Sequence, residues 1–449
     1  MLAVAFDRHN PPARELIDDC VHCGFCLPAC PTYLLWGEER DSPRGRILLM
    51  DAAVRGQLPL TSTLVGHWDA CLGCMACETA CPSGVRYGRL IEQTRQQVER
   101  RHHRPLHQRA AREALFALLP HPRPLRALAA GLWAYRASGM QRALRARGIV
   151  ARLPAPMQRA DALAPAVSSR ALLARAPVRT PAVGPRRMRV AMLTGCVQRA
   201  FFSDVNVATA RVLAAFGAEV VAPPQGCCGA LELHTGREAQ ALRRARRLIA
   251  AFESAGVDRI AVNSAGCGSV MKEYGELFAD DSAWATRAAR LASRVADVSE
   301  VLVELGLPRS ELQPLPMRLA YHDACHLAHA QRIRSQPREL LTAIPGVDLV
   351  ALDEADVCCG SAGVYNLLQP QAADELGERK AQRIRQAGPD ALAAGNPGCL
   401  TQIQASLHRT GEPIATFHPV ELVDASLRGV SAKRLLSERR ELLAGGGRV

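Results

Sequence analysis

Features that mark membrane-spanning, secreted and nucleotide-binding proteins are scarce in this sequence of 449 residues. It has no run of about 18 apolar residues, the length that a transmembrane helix requires. The apolar stretch near its start is too short for the hydrophobic region of a signal peptide. No G-x-G-x-x-G pattern follows a predicted strand and no P-loop is present, so we expect this chain to hold no flavin or nucleotide.

Aromatic residues are also scarce, at 4% of the chain, which weakens any interpretation based on stacking against nucleic acid bases. The formal net charge of +13 favours nucleic acid, an anionic membrane surface or an acidic partner. Because the arginines are spread widely, we expect no nucleic acid partner. The 16 cysteines are too few for a disulfide scaffold and indicate a reducing, cytoplasmic compartment. Grouped cysteines in such a compartment hold metals or perform redox chemistry.

Half of the cysteines form two runs with the same spacing, C-x2-C-x2-C-x3-C-P, one ending at Pro31 and the other at Pro82. This spacing is typical of [4Fe–4S] clusters, and the fourth cysteine of each run ligates the other cluster. Zinc also binds C-x2-C pairs, but it usually takes its four ligands from two separated pairs. The sequence therefore predicts two [4Fe–4S] clusters. Their ligands are a first ferredoxin group of Cys20, Cys23, Cys26 and Cys81 and a second ferredoxin group of Cys71, Cys74, Cys77 and Cys30.

The segment between the two runs is longer than in a small two-cluster ferredoxin. Its length suits the helical ferredoxin domain that occurs in subunits of redox enzymes. We place this domain at residues 1–105, with an amphipathic helix after Pro82 closing it.

Residues 106–187 are rich in Arg, Pro, Ala and Leu, and prolines interrupt any continuous helix near residue 120. One interpretation is a set of short packing helices followed by a linker between domains. The other is a basic amphipathic surface for an anionic membrane or a partner subunit, with Leu132 and Trp133 on its apolar face. The sequence favours the first interpretation and leaves the second open.

From residue 188 onwards, short apolar strands alternate with helices, which indicates parallel α/β units. A C…CCG…C pattern occurs twice, with Cys227 following Cys196 by 31 positions and Cys358 following Cys325 by 33. This agreement indicates an internal duplication. The predicted fold class is α+β multidomain: the helical two-cluster ferredoxin domain followed by two duplicated α/β CCG repeats with short parallel sheets. We place the first repeat at residues 188–312, the second at 313–428 and a basic C-terminal tail at 429–449.

The cysteines of the repeats lie at the predicted carboxyl ends of strands, which are expected to run as far as Cys196, Cys227, Cys267, Cys325 and Cys399. Parallel sheets bind ligands at that edge, so the sulfurs of one repeat can converge. We therefore treat them as candidate ligands of one or two further iron–sulfur clusters; the alternative is that they pack as small apolar side chains. The candidates are a first CCG site of Cys196, Cys227, Cys228 and Cys267 and a second CCG site of Cys325, Cys358, Cys359 and Cys399.

Polar residues flank the first cysteine of the second repeat. His322, His326 and His329 lie close to Cys325 in the sequence, and a metal-ligand role is one interpretation. Capping and surface roles are commoner for such residues, so neither these histidines nor Asp323 are included among the predicted ligands.

Several segments resemble the iron–sulfur subunits of bacterial glycolate oxidase (glycolate dehydrogenase), and the resemblance covers nearly the whole chain. They are VHCGFCLPACPTY, DSPRGRI, CETACPSGVRY, ATARVLAAFGAEV, GCCGA, SAGCGSVMKEYG, CCGSAGVY and AGNPGC. These subunits belong to a CCG-domain family related to heterodisulfide reductase, whose repeats end in C-x2-C and hold non-cubane clusters. Here Val270 and Gln402 stand at the last position of that pattern, so four sulfurs remain in each repeat and we expect no heterodisulfide reduction.

The resemblance implies an electron-transfer subunit without a substrate-oxidising site of its own. Its partners would be FAD-containing glycolate oxidase subunits that convert glycolate to glyoxylate, and a quinone or another membrane acceptor would receive the electrons. Such a hetero-oligomer would contact the inner face of the cytoplasmic membrane peripherally. The alternatives are a subunit of a lactate or glycerol-3-phosphate dehydrogenase, which use similar chains, and a scaffold subunit with structural clusters.

Overall fold

The ferredoxin domain is a group of short helices joined by cysteine-bearing loops. The structure is a computed structural model that describes residues 5–307, 309–411 and 413–444. Pro31 and Pro43 each occupy the first turn of a helix, where the missing N–H costs nothing. Trp68, Met50, Leu90 and other apolar side chains form the core of this domain. The helices are α1 (Arg14–Asp18), α2 (Pro31–Trp36), α3 (Pro43–Val54), α4 (Ser62–Asp69), α5 (Ala76–Thr79) and α6 (Tyr87–Arg101), with a 3₁₀ turn at Glu39–Asp41.

The basic segment that follows is also helical. Leu125 and Ala129 are fully buried in the core of the first repeat, and Leu132 and Trp133 pack against the same core. The apolar face that carries Trp133 is thus covered by the first repeat, in agreement with the packing interpretation. The elements are α7 (Leu106–Leu118), α8 (Pro122–Ala137), α9 (Met140–Ala146), α10 (Ala155–Ala162), α11 (Ser169–Leu173) and the short strand β1 (Arg179–Thr180), with a 3₁₀ turn at Val150–Arg152.

The first repeat is an α/β unit around a five-stranded sheet of order β1-β3-β2-β4-β5. Only the edge strand β1, which the linker contributes, runs antiparallel within this sheet. The elements are β2 (Met188–Leu193), α12 (Val197–Phe201), α13 (Ser203–Ala215), β3 (Ala218–Val221), α14 (Ala230–Leu233), α15 (Glu238–Glu253), β4 (Arg259–Val262), α16 (Ala265–Leu277), α17 (Ala285–Ala292), β5 (Val295–Asp297) and α18 (Val298–Leu305).

The second repeat has the same strand order, β7-β6-β8-β9, and all of its strand pairs are parallel. The elements are β6 (Met317–His322), a π-helical turn at His326–Ala330, α19 (Ser335–Thr342), β7 (Val347–Val350), α20 (Tyr365–Leu368), α21 (Pro370–Ala387), β8 (Ala391–Ala394), α22 (Pro397–Arg409), β9 (Ala415–Phe417), α23 (Pro419–Leu427) and α24 (Ala432–Leu443).

The two repeats match in strand register as well as in order. In the first sheet Leu193 pairs with Val262, and in the second His322 pairs with Ala394. Leu213 and Phe417 belong to one apolar core that the two repeats share. The predicted fold class, with a helical ferredoxin domain and two α/β repeats, is therefore confirmed.

Two details of the sequence prediction are wrong. The strands expected to reach Cys196, Cys227, Cys267, Cys325 and Cys399 end earlier, at Leu193, Val221, Val262, His322 and Ala394. Cys267 and Cys399 lie in the first turn of the next helix. The residues before these two helices, Ser264 and Asn396, are extended, and their side chains contact each other rather than capping the helices. The short strands β5 and β9 were not predicted, since three residues carry too little periodicity.

The C-terminal tail predicted at 429–449 consists mainly of α24, and residues 445–449 lie outside the described part of the chain. Among the helices of the described ranges, none combines the length and the hydropathy needed to cross a membrane.

Candidate iron–sulfur centres

The first ferredoxin group surrounds a pocket at the surface of the ferredoxin domain. Cys20, Cys23 and Cys26 lie on the loop between α1 and α2, Cys81 follows α5, and all of them line the same pocket. Cys23 is exposed, whereas the other three are partly buried. The structure thus brings together the thiols that the spacing assigned to one cluster, including the distant Cys81.

The second ferredoxin group lies deeper. Its four cysteines are all buried. Burial and the neighbouring thiols raise the pKa of Cys74 and of Cys77 well above the usual range. Thiols packed in this way repel one another when ionised, and a cation that binds thiolates removes that repulsion.

The two cysteine loops share one backbone shape. In the first loop His22 and Gly24 have positive φ angles of 54° and 88°, and in the second Gly73 and Met75 have 64° and 61°. These positions correspond in the two runs, each two residues after the first cysteine and one residue after the second. The left-handed residues curl each loop around a centre, which is the geometry that three thiolates on one cluster require.

Arg46 provides a buried positive charge beside the second ferredoxin group. Its guanidinium donates to the carbonyl oxygen of His67 at 2.6 Å, to Thr32 Oγ1 at 3.1 Å and to Asp41 Oδ1 at 3.2 Å. Burial acts to raise the pKa of Cys71, but Arg46 and Arg95 outweigh it and the pKa is lowered. Arginine at this position therefore favours the thiolate that metal binding needs. Sequence reasoning did not identify Arg46, although it lies in the DSPRGRI segment.

The first CCG site collects its thiols from three loops at the carboxyl edge of the sheet. The sulfurs of Cys196 and Cys227 are 3.5 Å apart. Contacts with the thiols of Cys227 and Cys267, together with burial, raise the pKa of Cys228 well above the usual range. All four predicted residues of this site therefore lie together.

The second CCG site repeats this arrangement. Contacts with Cys325 and Cys359, together with burial, raise the pKa of Cys358, and contacts with Cys358 and Cys399 lower the pKa of Cys359. Asn396 Nδ2 donates to the sulfur of Cys399 at 3.4 Å. The four predicted cysteines again form one buried group.

A single cavity connects the two CCG sites. It has a volume of about 830 Å³, and its lining includes all eight cysteines of the repeats and Cys71 of the second ferredoxin group. The repeats meet beside it, where Ser264 Oγ donates to Asn396 Oδ1 at 3.3 Å and the Ala265 N–H donates to the Gly395 carbonyl at 3.1 Å. The edges of the two sheets that carry cysteines therefore face a common space.

The ferredoxin domain docks against this cavity. Cys74 belongs to the same buried apolar group as Cys325 and Cys358 of the second CCG site. Tyr365 Oη donates to the Ala70 carbonyl at 3.0 Å, which holds the loop before Cys71 against the second repeat. The second ferredoxin group is thus the one adjacent to the repeats.

The histidines near Cys325 have different surroundings. The ring nitrogens of His326 contact Ser269 Oγ and the Gly73 carbonyl oxygen, each at 2.9 Å. Those of His329 contact Thr79 Oγ1 at 3.0 Å and the Asp356 carbonyl oxygen at 3.1 Å. Asp323 accepts two hydrogen bonds from Arg338, each 2.7 Å long. His326 and His329 thus join the second repeat to other segments, and the capping and surface roles that the sequence analysis favoured do not describe them.

His322 is the residue that sequence reasoning set aside and the structure places among thiols. A ring nitrogen of His322 and the sulfurs of Cys359 and Cys399 lie within 4.8 Å of one another. The signal that could have found it is the alignment of the repeats, MRVAML against MRLAYH, in which a histidine replaces a strand-end leucine.

The chemistry of these donor sets fits iron–sulfur clusters. All 16 cysteines are free thiols. Those of the first ferredoxin group share their pocket with Cys77, which also lies near Cys30, Cys71 and Cys74, and the eight of the repeats line one cavity. Sets made entirely of thiolates are the usual ligands of [4Fe–4S] clusters. Basic side chains, such as Arg46, offset part of the negative charge that such a set carries.

Comparison with known proteins gives matches over most of the chain. A 4Fe-4S dicluster domain matches residues 16–85, and a cysteine-rich domain matches 190–272 and 319–404. A third family, described as the linker region of the glycolate oxidase iron-sulfur subunit, matches 107–164. The matched regions thus include both ferredoxin groups and both CCG sites.

Individual relatives extend over nearly the full length. A probable glycolate oxidase iron-sulfur subunit of Bacillus subtilis is 37% identical over 401 residues, covering 88% of this chain and 90% of that protein. A glycolate oxidase iron-sulfur subunit of Escherichia coli is 36% identical over 428 residues, covering 94% and 97%. A lactate utilization protein A of an Exiguobacterium species is 28% identical over 240 residues, covering 53% of this chain and 98% of that protein.

Proposed function

The chain belongs to the glycolate oxidase iron–sulfur subunit family, and from this premise we propose that it carries electrons from a flavin-containing partner subunit to a membrane acceptor. The partner oxidises glycolate to glyoxylate and transfers a hydride to its FAD, and a quinone takes up the electrons. Iron–sulfur clusters held by this chain supply one-electron chemistry, which divides the electron pair of a reduced flavin. The chain itself contributes no residue to glycolate oxidation.

The observation that carries this proposal is the contact between the second ferredoxin group and the second CCG site. Cys74 packs with Cys325 and Cys358 inside one buried apolar group. A purely structural pair of metal sites has no need to lie side by side, whereas electron transfer requires redox centres to be close. In the proposal, the two ferredoxin groups each hold a [4Fe–4S] cluster and the CCG sites hold further metal.

The exposed loop of the first ferredoxin group supplies a contact point for a redox partner. Val21 and Phe25 on this loop have 68% and 65% of their surface exposed, and Cys23 lies between them in an exposed position. Apolar side chains around an accessible metal ligand allow a partner to approach closely without desolvating charge. We propose that a redox partner, either the electron donor or the electron acceptor, binds at this loop.

Buried residues around the second ferredoxin group exclude water and supply a positive charge. Arg46 holds a positive charge beside Cys71 and Cys30, and Tyr87 Oη donates to the sulfur of Cys71 at 3.6 Å. Hydrogen bonds to sulfur and nearby positive charge both raise the reduction potential of a cluster. In this proposal, the second ferredoxin group therefore accepts electrons more readily than the exposed first group.

An anaerobic substrate experiment tests the assignment. The full chain is isolated with the proteins that co-purify, and glycolate, D-lactate or glycerol-3-phosphate is added separately while the visible absorbance of the clusters is followed. We expect glycolate to bleach the clusters fastest. Faster bleaching by another donor would retain electron transfer and change the substrate. Intact clusters that none of the donors reduces, in the presence of a flavoprotein, would favour a scaffold subunit.

The substitution Cys77→Ser tests whether the second ferredoxin group lies on the electron route. We expect the partner flavin to remain reducible by substrate while reduction of an external acceptor falls at least tenfold. Ser83→Ala is a matched control, because Ser83 lines the same pocket as Cys77 without offering a thiolate. Unchanged acceptor reduction in the Cys77→Ser complex would contradict the proposal.

A further inference from the structure

His322 is a buried histidine whose ring nitrogens contact no oxygen or nitrogen atom of the described residues. It is the last residue of β6 and is fully buried. The protein group with which its ring interacts is the thiol of Cys359. A buried polar group without a partner destabilises the fold, so such a group is usually retained for another purpose.

The neighbouring histidines show that this is not a general property of the region. Both ring nitrogens of His326 and both of His329 contact oxygen atoms of the protein, at 2.9 to 3.1 Å. Their imidazoles are therefore used to hold the ferredoxin domain and the loop before the CCG turn. Of these three histidines, His322 is the one whose ring nitrogens contact no oxygen atom and lie beside a thiol instead.

The ring of His322 faces two cysteines of the second CCG site. The potential ligand atoms of His322, Cys359 and Cys399 all lie within 4.8 Å of one another, and all three residues are buried. The three come from different elements: the end of β6, the CCG turn and the first turn of α22. Convergence of this kind brings three donors within reach of one metal ion.

The first repeat provides an internal comparison. The position equivalent to His322 is Leu193, the last residue of β2, which is buried in the apolar core. The first CCG site therefore has thiolates and an apolar neighbour where the second has thiolates and an imidazole. Gln402, at the last position of the C-x2-C pattern, cannot replace this donor, because its amide contacts Asn366 and the Ala373 carbonyl.

We propose that His322 ligates the metal of the second CCG site together with Cys359 and Cys399, so that this site is a mixed imidazole–thiolate centre and the first is all-thiolate. Iron in a cluster and a single zinc ion both accept this combination of donors. An imidazole on iron raises the reduction potential of a cluster. The second CCG site would therefore accept electrons more readily than the first CCG site. The inference rests on metal binding by the CCG sites in the proposed function and not on the identity of the substrate.

The test uses the full chain purified anaerobically with its co-purifying partners. Pulsed electron paramagnetic resonance of the reduced protein detects a strong nitrogen coupling if His322 ligates iron, and zinc X-ray absorption detects a zinc–nitrogen bond if it ligates zinc. In His322→Leu, which introduces the residue of the first repeat, we expect that nitrogen signature to disappear and the metal of one site to be lost. His326→Gln changes a partly buried histidine that lines the cavity between the CCG sites. It is the matched control and should retain the signature.

Two further variants separate the possible failures. Cys399→Ser reports whether the second CCG site holds metal. If it lowers the metal content while His322→Leu leaves both signature and metal unchanged, the inference is overturned and the proposed function stands. If Cys399→Ser leaves the metal content unchanged, metal binding at this site and the inference fail together. Should His322→Leu not fold, His322→Cys is expected to retain the metal but lose the nitrogen signature; a retained signature would contradict the inference.

Discussion

At the scale of single residues, the glycine after each cysteine pair decides whether the CCG turn can form. Gly229 and Gly360 both have a φ angle of 87°, a conformation that residues with a Cβ rarely adopt. A Cβ on Gly360 would lie 2.6 Å from the carbonyl oxygen of Ala373 in α21, and one on Gly229 would lie 3.0 Å from that of Ala241 in α15. Each CCG turn therefore has a glycine in the left-handed conformation and also packs closely against a helix.

We therefore expect Gly360→Ala to release metal from the second CCG site while the ferredoxin groups keep theirs. Gly411→Ala is the matched control: its φ is 86°, and no described heavy atom lies within 4 Å of the added Cβ. The control carries only the left-handed strain, about 1–2 kcal/mol, whereas Gly360→Ala adds the collision with backbone. Measuring the metal content of both variants tests whether Gly360→Ala, and not Gly411→Ala, loses metal. Equal metal contents would show that the contact with α21 does not matter.

At the scale of elements, the N-terminus of α23 contains a histidine cap that must remain neutral. His418 Nδ1 accepts a hydrogen bond from the Val420 N–H at 3.2 Å, and the Glu421 carboxylate accepts one from the His418 N–H at 2.7 Å. Burial lowers the pKa of His418 to about 4. A protonated Nδ1 cannot accept, so acid removes the cap.

The folded state binds fewer protons at His418 than the unfolded state does between about pH 4 and the ordinary histidine pKa. Its contribution to stability is therefore complete above about pH 6.5 and is lost as the pH falls towards about 4, with about 2 kcal/mol lost between pH 7 and pH 5. His418→Asn keeps a capping acceptor that does not titrate. Thermal unfolding of wild type and variant at both pH values should show a smaller acid destabilisation in the variant; parallel losses would refute this role.

At the scale of the whole molecule, the ferredoxin domain and the repeats are joined by polar contacts around the second ferredoxin group. The Arg95 guanidinium donates to the His234 carbonyl at 2.9 Å and to the Cys71 carbonyl, so one side chain joins α14 of the first repeat to the cysteine loop. His234 Nδ1 and Glu92 Oε1 lie 2.8 Å apart across the same interface. The domains therefore form a continuous structure around the metal sites.

Loss of Arg95 should weaken this interface without unfolding either part. Hydrogen bonds from a charged group contribute about 1.5–3 kcal/mol, so in Arg95→Gln we expect cluster absorbance to be lost at a lower temperature than the helical signal of the repeats. Arg100→Gln is the control on the same helix, since Arg100 donates to Asp7 within the ferredoxin domain. The check is to record both signals during heating. Coincident transitions in Arg95→Gln would argue against a docking role.

The spacing of the cysteines and the length between their two runs predicted the helical ferredoxin domain. The alternation of apolar strands and helices, with the repeated C…CCG…C pattern, predicted the duplicated α/β repeats, because these patterns are local. The cysteine spacing also assigned Cys20 and Cys81 to one group, and these residues line one pocket in the structure. Helix starts were harder to predict: Cys267 and Cys399 lie in helices that begin at Ala265 and Pro397, and the apolar strand pattern before them does not show where the strand ends.

Contacts between distant segments were decided by tertiary structure. The sequence treated His322 and His326 alike, yet packing directs one ring towards Cys359 and Cys399 and the other towards the Gly73 carbonyl. The common cavity and the apolar group that contains both Cys74 and Cys325 also depend on how the ferredoxin domain and the two repeats pack together. Sequence spacing determines which groups can reach a metal from one loop, whereas only packing determines which groups from different loops meet, since that depends on long-range burial of apolar surface.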